Sequence, residues 1–116
     1  MHPDARKLLW DARDAVERVT RFAAGKAFAH YEADELLRSA VERRLEIVGE
    51  VLGKLRQVDP ETARKIQALP RAIGLRNVLI HGYATVDDRI VWGVVEANLP
   101  DLRSQIVALL DGVPNS

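Results

Sequence analysis

Apolar residues recur every three or four positions along almost the whole chain, the spacing of helices that bury one face. Leu8, Leu9, Ala12, Ala15, Val16, Val19, Phe22 and Ala23 line one side of a first helix beginning after Asp4. Pro3 suits its entry and Gly25 its stop near Ala24, so Gly25 to Tyr31 reads as a loop. A long second helix is predicted from about Glu32 to Gln57, with a seam of Leu37, Val41, Leu45, Val48, Leu52 and Leu55. The seam advances by 4, 4, 3, 4 and 3 residues, close to a heptad, and Ile47 and Val51 widen it. Gly49 and Gly53 interrupt it, each costing about 1 kcal/mol in helix propensity relative to Ala. Close approach of a neighbouring helix would account for them, and so would loose selection at these positions.

Shorter helices follow. Asp59 and Pro60 form an N-cap and first position, and Pro70 opens a helix through Ile73, Leu75, Val78, Leu79 and Ile80 that Gly82 stops. Asp87 caps another through Ile90, Val91, Val94 and Val95, and Leu99-Pro100 kinks or restarts it toward Leu102, Ile106, Leu109 and Leu110. No alternating strand pattern and no repeat is left over. The expected fold is all-α, an antiparallel bundle of about five helices.

At 116 residues with 47% hydrophobic content, the chain suffices for one core, so residues 1–116 read as a single domain. Seventeen basic and seventeen acidic side chains cancel, which removes any global attraction to nucleic acid or membrane. The absence of cysteine excludes disulfides and thiolate metal sites. The longest apolar run, Ile90 to Val95, is too short to span a bilayer, and the charged start at Asp4, Arg6 and Lys7 resembles no secretory leader. A soluble cytoplasmic protein is expected.

Gly25-Lys26 is not a phosphate loop, because it lacks the upstream glycine, the following Ser or Thr and a preceding strand. His2, His30 and His81 show no metal-ligand spacing, so no metal and no cofactor is expected. The distribution of charge says more than its sum. From Thr62 to Val86 the chain carries Arg64, Lys65, Arg71 and Arg76 and no acidic residue. Such a window suits phosphate binding and equally suits an ordinary solvated face. It ends in Arg76-Asn77-Val78-Leu79-Ile80-His81-Gly82-Tyr83. Arg76 and His81, five apart, lie about 140° around an ideal helix, yet a long Arg can reach an imidazole held in a terminal turn. His moves protons near neutral pH and Arg clamps phosphate, the two functions that metal-free RNA cleavage requires. Asn77 can orient substrate or the ring.

The pattern R-x-x-x-x-H-x-Y, with Asn after the Arg, resembles the HEPN superfamily and within it the HepT-like toxins. Leu45-Glu46-Ile47-Val48-Gly49-Glu50, Arg89-Ile90-Val91-Trp92 and Leu99-Pro100-Asp101-Leu102 extend the resemblance over roughly residues 4 to 111. Arg71 departs from it, standing after Pro70 where family members often have an aromatic residue. The resemblance implies a homodimeric, metal-independent endoribonuclease, one half of a toxin–antitoxin pair. Its RNA cleft would lie at the dimer interface, with Arg76 and His81 catalytic and with Asn77 and Arg71 supporting them or binding RNA. It further implies a nucleotidyltransferase antitoxin of the minimal (MNT) type that silences the toxin by AMPylation of Tyr83. The apolar stripes, wider than one small core needs, agree with a twofold dimer. The competing reading is a non-catalytic adaptor that presents substrate to such a nucleotidyltransferase. Glu46 and Glu50 either line the cleft or bridge helices, and Trp10 and Trp92 read as core or interface anchors.

Overall fold

Asp34, which falls inside the helix expected from Glu32, is a boundary between two helices. In the computed structural model, which describes residues 1–82 and 86–112, a short helix α2 (Phe28–Ala33) ends at Asp34 and α3 (Glu35–Val58) begins after it. Asp34 is extended, with φ −112° and ψ 99°, and its carboxylate accepts the Leu37 N–H at 3.0 Å as an N-cap. The expected helix from Glu32 is therefore corrected to a start at Glu35, and the expected loop to Tyr31 ends at Ala27. The remaining elements are α1 (Ala5–Ala23), α4 (Pro60–Arg64), α5 (Leu69–His81), α6 (Asp88–Gly93) and α7 (Leu99–Leu110). The fold is all-α as expected: among the described residues there are seven α-helical segments, several of them short, where about five helices were expected, and no strand. None of the helices is long and apolar enough to cross a membrane, again among the described residues.

α3 is the central element and packs along α1 on one side and α5 on another. Every residue of its expected seam, Leu37 through Leu55, is buried. It meets Leu9, Ala12, Val16 and Val19 of α1 and Leu69, Leu75 and Leu79 of α5 in one apolar core. Burial at roughly 1.5–3 kcal/mol per large aliphatic side chain makes this seam the main source of stability. Gly25, at φ +72°, supplies the left-handed residue that ends α1.

α6 runs into α7 through a π-helical turn, Val94–Asn98, in which the Leu99 N–H reaches back to the Val94 carbonyl. Pro100 has no N–H to give the Glu96 carbonyl, so the helix passes this point by widening one turn. Two side chains from α7 then tie the bundle together. Arg103 donates twice to Glu17 of α1, at 2.9 and 3.1 Å, and the Gln105 carbonyl oxygen accepts the Ala68 N–H at 3.0 Å where α5 begins.

Asp59 fixes the turn between α3 and α4. Its carboxylate accepts from the Thr62 hydroxyl at 2.6 Å, the Thr62 N–H at 3.1 Å and the His2 N–H at 2.8 Å. The Thr62 hydroxyl first, then the His2 backbone N–H, hold its pKa down at about 2. At the other end of α3, Tyr31 is fully buried with its ring 5.0 Å from that of Trp92. Burial, with Glu42 and Asp88 nearby, keeps its phenol protonated. Trp92 is the expected core anchor, whereas Trp10 is half exposed with the Arg13 guanidinium over its ring at 5.3 Å.

Candidate active site

The candidate chemistry begins at a close helix crossing. A Cβ added to Gly49 would lie 2.2 Å from the Cβ of Arg76 and 2.8 Å from the Ala72 carbonyl oxygen. Only glycine lets α5 approach α3 this closely, and the approach seats the root of Arg76 against the α3 backbone. Gly53, one turn on, has nothing within 4 Å of such a Cβ. The expected explanation of both glycines by tight packing therefore holds at Gly49 alone, while Gly53 leaves open space beside the crossing.

That space is a groove of about 410 Å³ between α3 and α5, lined in part by Gly49, Glu50, Lys54, Arg56, Arg76 and Asn77. Its three cations outnumber its one carboxylate. Arg76 is partly buried, and its guanidinium donates to the Asn77 side-chain oxygen at 3.1 Å. Asn77 thus steadies Arg76 and does not reach the imidazole. Glu50 faces the groove, while Glu46 pairs with Arg43 of its own helix at 3.3 Å.

His81 is the last residue of α5, exposed, and does not line this groove. It stands about 7.5 Å farther along the helix axis than Arg76, and no hydrogen bond joins the two. The structure brings Arg76 and Asn77 together and leaves His81 apart within one chain. Arg71 lies elsewhere again, on a shallow apolar face of about 290 Å³ formed with Gly74, Leu75, Val78, Ile90 and Val94. Val78 and Ile90 are 50% and 55% exposed there. The helical steps from Arg71 through Gly74 and Val78 to His81 place the imidazole at the end of this face. Tyr83 lies outside the described residues.

Lys54 and Arg56 are groove residues that lie before the acid-free window starting at Thr62 and belong to no motif of the sequence. Their signal was present: Lys54 follows Glu50 by one helical turn, on the glycine-bearing face of α3. Among the described residues, no three His, Asp or Glu side chains are grouped as metal ligands.

A family model described as "Ribonuclease HepT-like" matches residues 12–109. Among curated proteins, one of Caldanaerobacter subterraneus with a provisional RNase name is 32% identical, covering 93% of this chain and 92% of its own. The "Probable ribonuclease HepT" of Thermococcus cleftensis is 30% identical over 87% and 91%. A Methanocaldococcus jannaschii protein, also provisionally named an RNase, is 28% identical over 89% and 94%. No solved structure matches the chain.

Proposed function

Because the chain belongs to the HepT-like ribonuclease family, we propose that it is a metal-independent endoribonuclease whose working unit is a twofold dimer. The observation that carries the reading is the cation-lined groove in which Gly49 seats Arg76 and Asn77 holds its guanidinium. A guanidinium so fixed is prepared to receive a phosphate, since Arg presents a planar fork of donors. His81 supplies the proton chemistry. One imidazole takes the proton of the ribose 2′-OH as that oxygen attacks the adjacent phosphorus; the bond to the 5′-oxygen breaks, and the imidazolium so formed gives that proton to the leaving oxygen. Arg76 neutralises the charge on the phosphorane between the two steps. The products are a 2′,3′-cyclic phosphate and a 5′-hydroxyl.

A second copy explains why Arg76 and His81 stand apart in one chain. The exposed Val78 and Ile90 form a face that ends at His81, and a twofold contact there brings two imidazoles into one cleft. In that arrangement Arg76 of one protomer works with His81 of the other. The apolar contact and the composite cleft support each other.

The test is cleavage of single-stranded RNA in EDTA by the native protein, Arg76→Ala and His81→Ala. Each substitution should lower the rate by about 100- to 10,000-fold with the helical circular-dichroism spectrum unchanged. Full cleavage by His81→Ala would favour the adaptor reading.

Control by a minimal nucleotidyltransferase antitoxin belongs to the same reading. Tyr83 follows the imidazole by two residues, so AMP transferred to its phenol would place a phosphodiester and an adenine beside the RNA cleft. Charge and volume together would exclude substrate. Co-expression with such a partner should give an AMP mass adduct on Tyr83 and none in Tyr83→Phe. Silencing without added mass would instead mean steric capping.

A further inference from the structure

A second groove lies where α3, α4 and α5 meet, and nothing in the cleavage chemistry uses it. It holds about 420 Å³, within the roughly 300–1,000 Å³ of small-ligand clefts. Pro60, Ala63, Ile66 and Pro70 form an apolar floor, Gln67 offers an exposed amide and Arg56 stands at its margin. Arg56 also lines the groove that holds Arg76 and Asn77. The two depressions therefore have one cation in common. Arg56 and Lys54 carry no ion pair among the described residues, whereas Arg64, which also lines the groove, is already paired with Glu61. The cation common to both linings, Arg56, is thus left without an ion pair among the described residues.

We propose that this groove is a nucleotide subsite, holding a base of single-stranded RNA that flanks the phosphate at Arg76. Single strands are gripped by cations that track the backbone and by surfaces that accept the flat face of a base. Arg56 receives the intervening phosphate, the proline-edged floor covers the base, and the Gln67 amide, both donor and acceptor, meets its edge. Apart from the paired Arg64 there is no second charge in the floor, so the base and not another phosphate occupies it. The subsite gives the protein sequence preference a nucleotide away from the cut. It rests on RNA being what the Arg76 groove takes, and it does not depend on cleavage.

The test uses 2′-O-methyl oligonucleotides, which bind without being cut by 2′-OH attack. Affinity for a trimer and an octamer is compared between the native protein, Gln67→Glu, Arg56→Ala and the control Arg21→Glu at the opposite end of α1. Gln67→Glu should weaken octamer binding by roughly tenfold through repulsion of the strand and leave the trimer within about twofold. Arg56→Ala should weaken both, and Arg21→Glu neither. Octamer addition to native protein should shift the methyl signals of Ala63 and Ile66. Unchanged octamer affinity in Gln67→Glu and Arg56→Ala, or methyl signals that stay in place, would overturn the subsite. So would loss of an acidic protein partner, and not of RNA, in these variants. Cleavage is scored separately on unmodified RNA: a native protein that binds in this way but does not cut keeps the subsite and loses the ribonuclease reading.

Discussion

Gly49 and Gly53 are chemically identical and one helical turn apart, yet they ask for opposite outcomes. Gly49→Ala forces a methyl group into the Arg76 Cβ and the Ala72 carbonyl, and backbone cannot yield as a flexible side-chain tip does. We expect a loss of about 1–3 kcal/mol, the usual cost of overpacking, together with loss of RNA cleavage as Arg76 is displaced. Gly53→Ala meets open space and should stabilise α3 by about 0.5–1 kcal/mol through helix propensity. Chemical denaturation of the two variants checks both signs. Equal effects would mean that the crossing of α3 and α5 is not as close as described.

At the scale of elements, caps decide where the periodic pattern is cut. The buried faces of α1, α3, α5 and α7 were legible because 3.6-residue spacing and burial are one signal; all six seam residues of α3 are inside. Asp34 falls inside the helix expected from Glu32, and the six residues of α2 before it are too few to show a helical period. An Asp three residues before Leu37 was nonetheless an N-cap signature. The π-turn was foreshadowed only as a kink at Pro100. Arg76, Asn77 and His81 were legible as a motif, but their relative placement was not: which face of α5 meets α3 depends on the absence of a Cβ at Gly49, a tertiary fact.

Asp59 shows the energetic weight of a cap. Its folded pKa, about 2, lies below the ordinary carboxylate value of 3.8, so the folded state favours the charged form. The stability it contributes is present above pH 4 and is lost as pH falls through about 2. Asp59→Ala should cost about 1–2 kcal/mol at neutral pH and flatten the decline in melting temperature between pH 4 and 2. A variant as stable as the native chain at pH 7 would show that the His2–Asp59–Thr62 network contributes nothing net.

At the scale of the whole molecule, a neutral protein carries its functional charge locally. Lys54, Arg56 and Arg76 converge on one side of α5, while Val78 and Ile90 leave the other side apolar. His81, the last residue of α5, stands at the end of the apolar side and does not line the cation groove. Within one chain Arg76 and His81 stand apart, and in the proposed dimer the pairing of two chains would join them as phosphate clamp and proton carrier. The most direct measurement of that claim is to mix the two inactive variants, Arg76→Ala and His81→Ala, after partial unfolding and reassociation, and to assay RNA cleavage in EDTA. Half of the dimers are then mixed, and each mixed dimer holds one intact pairing of Arg76 from one protomer with His81 from the other. Activity should return to about a quarter of the native level for a twofold assembly. If the mixture stays as inactive as its components while the native protein cleaves, Arg76 and His81 work within one chain and the composite cleft is wrong.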